Sequence, residues 1–200
     1  QRQMCIRDRY IPFVNVSFQL HPIVYIFFAM FVMVGTDNAV NLTDGVDGLC
    51  ASITLPVMIF FTAAAAAMGK YDLALLPAAL SGGLVAYLFY NWHPAKVFMG
   101  DTGSLFLGAA VALMAIGLKM EIFLILVGFV YFAETLSVIM QTSYFKYTKK
   151  KYGEGRRIFK MTPIHHHFEM CGWTEKKIVR VFTLVTLLLC LTAWFGAPMA

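Results

Sequence analysis

Six long apolar runs, near residues 22–40, 51–68, 73–91, 104–119, 122–142 and 179–197, alternate with polar connections. Each run is roughly 16–20 residues, close to the ~20 that a helix needs to cross the hydrocarbon core of a bilayer. Lipid offers the backbone no hydrogen-bond partners, so a segment inside it must satisfy its own N–H and C=O groups, and a run of this kind does so as a helix. The chain is 60% hydrophobic and 14% charged, where soluble domains carry about 25% charged residues. The expected class is an all-α membrane protein of about six transmembrane helices. Pro56 and Pro77 predict kinks rather than breaks, because neighbouring helices can cover the freed carbonyls.

Charge orients the runs. Of sixteen Lys and Arg, ten lie between Lys146 and Arg180, and cytoplasmic loops carry the excess of such residues. Counting back through the spans, the connections 92–103 and 41–50 fall on that same face. The short turns at 69–72 and 119–121 fall on the other. A net charge of +5 spread in this way is explained by membrane orientation, and nucleic acid is excluded as a partner. Cys5, Cys50, Cys171 and Cys190 have no metal-ligand or redox spacing and read as free thiols. Residues 1–10 read as a non-native tail ahead of a single transmembrane domain over 11–200.

The connection Asn38-Ala-Val-Asn-Leu-Thr-Asp-Gly-Val-Asp-Gly-Leu49 is a polar island between two apolar runs. So many polar groups are too costly to leave in lipid and must sit at the membrane–water boundary. The second connection, Asn91 to Ser104, carries Asp101 between Gly100 and Gly103, just before a helix starts. Small residues there let backbone amides approach a ligand, and a helix N-terminus suits phosphate oxygens. The plain alternative is that Asp44, Asp47 and Asp101 are helix N-caps. Three such carboxylates on one face instead suit a hard cation such as Mg²⁺ shared with a substrate phosphate.

The third connection, Ser143 to Ile178, begins with a basic loop and then reads Pro163-Ile-His-His-His-Phe-Glu169. Adjacent residues on a helix point apart, so the three histidines are not a zinc helix pair. A membrane-edge turn offering imidazoles to an anionic substrate is expected, with Glu169 orienting one of them. Glu134 lies inside the fifth run, as a functional group or as an interhelical hydrogen-bonding partner. Gln141 follows near the cytoplasmic end of that run.

These motifs, with Val97-Phe-Met-Gly-Asp-Thr-Gly-Ser-Leu105 and Glu134-Thr-Leu-Ser-Val-Ile-Met-Gln141, resemble the phospho-N-acetylmuramoyl-pentapeptide transferases, within the wider polyprenyl-phosphate N-acetylhexosamine-1-phosphate transferases. The resemblance covers residues 20–198. It implies a multi-pass bacterial inner-membrane enzyme, its active site facing the cytoplasm, in which undecaprenyl phosphate attacks UDP-MurNAc-pentapeptide to give lipid I and UMP for peptidoglycan. It further implies Mg²⁺ held by Asp101, membrane lipid as surroundings and a homodimer as the assembly. By the same resemblance, Asp44, Asp47, Asp101, His165 and His166 are the catalytic set. Asn38, Asn41, Leu42, Gly45, Phe98, Gln141 and His167 bind substrate, with Phe98 stacking on uracil.

One departure stands against this pattern. The family has ten spans and an Asp-Asp motif in an earlier loop, and this chain contains no Asp-Asp pair. The six runs match the last six spans, so the chain is read as a C-terminal fragment that is inactive alone. The rival readings are a related GlcNAc-1-phosphate transferase and a membrane transporter. A transporter would carry polar groups along its spans, whereas here they collect on one face.

Overall fold

The computed structural model describes residues 8–11 and 16–197. Residues 1–7 of the expected tail lie outside them. Asp8–Ile11 (β1) pairs antiparallel with Val16–Gln19 (β2). The rest is helical: α1 Pro22–Thr43, α2 Leu49–Ala67, α3 Tyr71–Asn91, α4 Gly100–Leu118, α5 Leu124–Val127, α6 Phe129–Tyr152, α7 Ile164–Met170 and α8 Glu175–Gly196. Five of these, α1 to α4 and α8, are long and apolar enough to cross a membrane.

The central helix is α2, packed against α3, α4 and α8, while α1 packs on α4 and α6. Leu49, Ile53, Val57, Met58 and Phe61 of α2 are fully buried with Val111, Ala115, Tyr131 and Ile178. Inside this apolar contact the Tyr131 and Thr54 hydroxyls share a hydrogen bond of 2.8 Å, so neither polar group is left unpaired. Much of α1 and α3 faces outward, with Phe27, Phe31, Leu75 and Phe89 exposed, as lipid-facing side chains are.

The run 122–142 departs from the expected single span. It divides at Gly128 into the one-turn α5 and the long α6. A Cβ on Gly128 would lie 2.7 Å from the Leu124 carbonyl oxygen, so the chain turns there in a way that a larger residue would obstruct. α6 then continues past the apolar run and ends on Lys149, Lys150 and Lys151, capped by Gly153 at φ +78.

The polar connections sort to two ends. Burial and then repulsion from Lys119 hold Lys70 below the ordinary lysine range, so the α2–α3 and α4–α5 turns share one end. The helix α2, about 28 Å long at 1.5 Å per residue, separates that end from the α1–α2 turn, where the other connections gather.

Candidate active site

The last turn of α1 begins the site. Asn38 is exposed and donates to the Val34 carbonyl at 2.8 Å, and Leu42 is half-buried. The helix stops at Thr43, and the Asp44 N–H bonds back to the Asn41 carbonyl at 3.1 Å. Gly48, at φ +76, opens α2 and donates its N–H to Asn91 Oδ1 at 3.1 Å. Among the described residues no side chain caps α2 or α4, and Met99 holds the N-cap position of α4. The capping explanation therefore accounts for none of the three aspartates. Asp101 also lies inside the first turn of α4, not ahead of it as the sequence suggested, because the helix already begins at Gly100 with φ +64.

Asn41 joins α1 to α4. Its Nδ2 donates to Asp101 Oδ1 at 3.1 Å and to Ser104 Oγ at 2.9 Å. Asp101 is exposed, and Asp44 is near enough to feel it: partial burial and then the Asp101 charge push the Asp44 carboxyl up to about 6. Two mutually repelling carboxylates, one of them held by the Asn41 amide, offer oxygen ligands, and this fits a hard divalent cation.

Asp47 belongs to a second cluster. Its Oδ2 accepts from the Ala95 N–H at 2.9 Å and lies 3.4 Å from His93 Nδ1, which in turn sits 2.8 Å from Glu175 Oε2 at the start of α8. The ligand atoms of Asp47, His93 and Glu175 lie within 4.8 Å of one another, and the His93–Glu175 hydrogen bond together with the charge contact of His93 Nδ1 with Asp47 accounts for that closeness. The cluster ties the α3–α4 connection to α8 and fixes the Asp47 carboxylate.

The histidine run is a short helix, α7, and not the turn expected from sequence. As adjacent helical positions must, the three rings diverge. His165 is fully buried; its Nδ1 is 3.0 Å from Glu134 Oε2, which also accepts the His165 N–H at 3.3 Å. The other edge of the ring, Nε2, lies against Gly45, where a Cβ would lie 2.8 Å from Cε1. His166 Nδ1 pairs with Glu169 Oε2. His167 Nδ1 accepts from the Lys160 N–H at 3.2 Å, and its ring stands edge-on to Phe159 and Phe168.

Asn41, Asp44, Gly45, Asp47, Asp101 and His165 thus meet at one end of the bundle. Phe98 is 74% exposed beside an apolar groove between α3 and α4. Gln141 stands apart: its amide is committed to the backbone of Ile158 and Phe159.

A family model described as "Glycosyl transferase family 4" matches residues 2–119. The chain belongs to glycosyl transferase family 4. Proteins named phospho-N-acetylmuramoyl-pentapeptide-transferase from Carboxydothermus hydrogenoformans and Clostridium acetobutylicum are 52% and 49% identical to it, each over 94% of this chain. A protein of the same name from Clostridium novyi is 51% identical over 93% of the chain. The chain spans 58% of the length of the first two and 55% of the third.

For this family 4 member, the site also uses residues that sequence reading passed over. Asn91 bridges Gly48 N–H and the Val97 carbonyl, Ser104 receives Asn41, and His93 with Glu175 braces Asp47. Ser104 carried a readable signal, three residues after Asp101 on the same helical face. His93 and Glu175 carried none, being 82 residues apart.

Proposed function

We propose that this chain is the part of an inner-membrane enzyme that transfers phospho-MurNAc-pentapeptide from UDP-MurNAc-pentapeptide to undecaprenyl phosphate, giving lipid I and UMP at the cytoplasmic face. The observation that carries the reading is the junction of Asn41, Asp44 and Asp101, which draws the polar island and the second connection into one anion-facing centre. The names of the relatives supply the substrate class.

In this reading Asp101, with Asp44 across from it, holds Mg²⁺, which when bound offsets the charge of the diphosphate and of the departing UMP. Asn41 orients the Asp101 carboxylate by its 3.1 Å hydrogen bond. Phe98 offers its exposed face to uracil, and Asp47 holds the nucleotide side from its braced position. An oxygen of the lipid phosphate forms the new bond to the β-phosphorus as the bond from that phosphorus to the UMP oxygen breaks. His166 and His167 donate hydrogen bonds to phosphate or sugar, and the buried His165 backs Gly45 from behind. Asn38, Leu42 and Gly45 line the approach, and Gln141 supports the loop beside it. Turnover needs the remainder of the family fold, including its Asp-Asp motif, so the 200-residue chain alone is inactive.

The test separates binding from turnover. The purified chain in detergent should bind UDP-MurNAc-pentapeptide in a Mg²⁺-dependent manner and UDP-GlcNAc more weakly. It should release UMP only in a chimera supplying the part of the Carboxydothermus relative that this chain does not match. Equal binding of both sugar nucleotides would overturn the donor assignment.

A further inference from the structure

The basic connection after α6 is folded back onto that helix. Gln141 is buried on α6, accepts from the N–H groups of Ile158 at 2.9 Å and Phe159 at 3.0 Å, and donates to the Phe159 carbonyl at 3.1 Å. Further along α6, buried Thr148 accepts from the Arg156 N–H at 2.8 Å. Lys160 Nζ donates to the Met170 carbonyl at 3.0 Å, which ties the loop to the end of α7. These anchors frame an open-sided cavity of about 490 Å³, within the size range of small-molecule sites.

The lining of that cavity is specific. Lys146, Arg157 and Lys160 face it, and among the described residues no carboxylate lines it. Thr142 and Thr162 add hydroxyls, while Phe145, Met161 and Met170 supply an apolar wall. Lys146 sits on α6 four residues beyond the end of the apolar run 122–142. Cations gathered without a counter-charge repel one another, and an anion relieves that repulsion. A phosphate suits the arginine fork and the lysine ammonium groups, and basic pockets beside transmembrane helices take lipid head groups. We propose that this cavity binds the phosphate head of an anionic lipid, with Phe145, Met161 and Met170 against the first carbons of its tail. This assignment rests on the membrane reading of the chain and does not require the transferase reaction.

Calorimetric titration of the purified chain in a nonionic detergent tests it. Short-chain phosphatidylglycerol should saturate the protein, and short-chain phosphatidylcholine should not. Arg157→Gln and, separately, Lys146→Gln should each weaken binding about tenfold, the scale of one missing charge-assisted hydrogen bond. A Lys149→Gln/Lys150→Gln control, which removes charge outside the cavity, should change it by less than about threefold, as surface charges screened by solvent do. All variants should melt with the parent, since the altered side chains are exposed. Farnesyl phosphate binding more tightly than phosphatidylglycerol would make the cavity part of the path of the proposed lipid substrate and overturn a separate lipid site; weaker or equal binding supports one. Binding of phosphatidylcholine, equal affinity for inorganic phosphate, or an equal loss in the lysine control would overturn it. None of these readouts involves UMP release, so they stand apart from failure of the proposed reaction.

Discussion

The Nε2 edge of the buried His165 ring rests on the backbone of Gly45, so the α1–α2 turn and α7 are in direct contact. The ring cannot swing aside freely, because Glu134 holds its other edge. A methyl at position 45 must therefore displace α7 or the turn. Gly45→Ala is expected to cost about 1–3 kcal/mol, the scale of overpacking in a filled interior, and to weaken nucleotide-sugar binding at the same time. Thermal unfolding in detergent and a binding titration on the same preparation check both effects. An unchanged melting temperature with full binding would mean that the two elements are not tightly packed in solution.

Glu134 offers a contrast. It lies within the apolar run, and its Oε2 accepts the His165 N–H and lies 3.0 Å from the ring Nδ1, with no exposure of either side chain. A buried carboxylate in such an arrangement is costly to remove, since its partner is then left unpaired. Glu134→Ala is expected to destabilise the chain by about 2–3 kcal/mol, and Glu134→Gln, which keeps an acceptor oxygen, by less. The ordering of the two melting temperatures is the measurement, and equal losses would count against a role through hydrogen bonding to His165.

Most of the membrane architecture was legible because hydropathy over some twenty residues is a local property: each apolar run either suffices to span lipid or does not. The break at Gly128 was not legible. The turn there is tight enough that a Cβ on Gly128 would meet the Leu124 carbonyl, a local geometry that average hydropathy cannot register. The seven-residue α7 was missed because it is too short to show a period. At the site, the gathering of Asp44, Asp101 and His165 at one end could be read from charge sorting. The pairings could not: Asn41 meets Asp101 across 60 residues and His165 meets Glu134 across 31. Such partners follow from helix packing, not from spacing along the chain.

Asp101 is exposed in the first turn of α4, so its replacement should leave the fold intact. Asp101→Asn keeps the shape and an oxygen able to receive Asn41 but removes the charge that a hard cation requires. The expected result is a loss of the Mg²⁺-dependent part of UDP-MurNAc-pentapeptide binding, about tenfold or more for one charge-assisted interaction. EDTA should reproduce that loss in the parent and have little further effect on the variant. Titration of Mg²⁺ at fixed substrate checks it, and identical Mg²⁺ responses in the two proteins would remove Asp101 from the metal site.

The His93–Glu175 pair should be worth little in stability, because both side chains are at least a third exposed and solvent screens such pairs. Its effect should appear in position. When the pair is broken, the α3–α4 connection is held by the Ala95 N–H on Asp47 and by Asn91 on the Val97 carbonyl. A double-mutant cycle on His93→Ala and Glu175→Ala is expected to give a coupling of about 0.2–1 kcal/mol in unfolding and a non-additive loss of nucleotide affinity. Fully additive effects on both readouts would mean that the two residues act separately.

Gln141 is the site residue whose sequence-based role changes most in emphasis. Its amide oxygen accepts two backbone N–H groups and its amide nitrogen donates to a carbonyl, all within Ile158 and Phe159. A side chain so engaged supports a loop first. Removing it by Gln141→Ala strands two donors and an acceptor, for a local loss of about 3 kcal/mol at roughly 1 kcal/mol per hydrogen bond net of water. Because cleavage of a transiently opened segment tracks its opening free energy when reclosing is fast, trypsin should cut at Arg156, Arg157 and Lys160 roughly 150-fold faster in the variant. Cleavage at Lys149 and Lys150, on the helical side of Gly153, should change far less. Equal acceleration at both places would point to global unfolding, and no acceleration at either would show that the loop is held by Thr148 and Lys160 without Gln141.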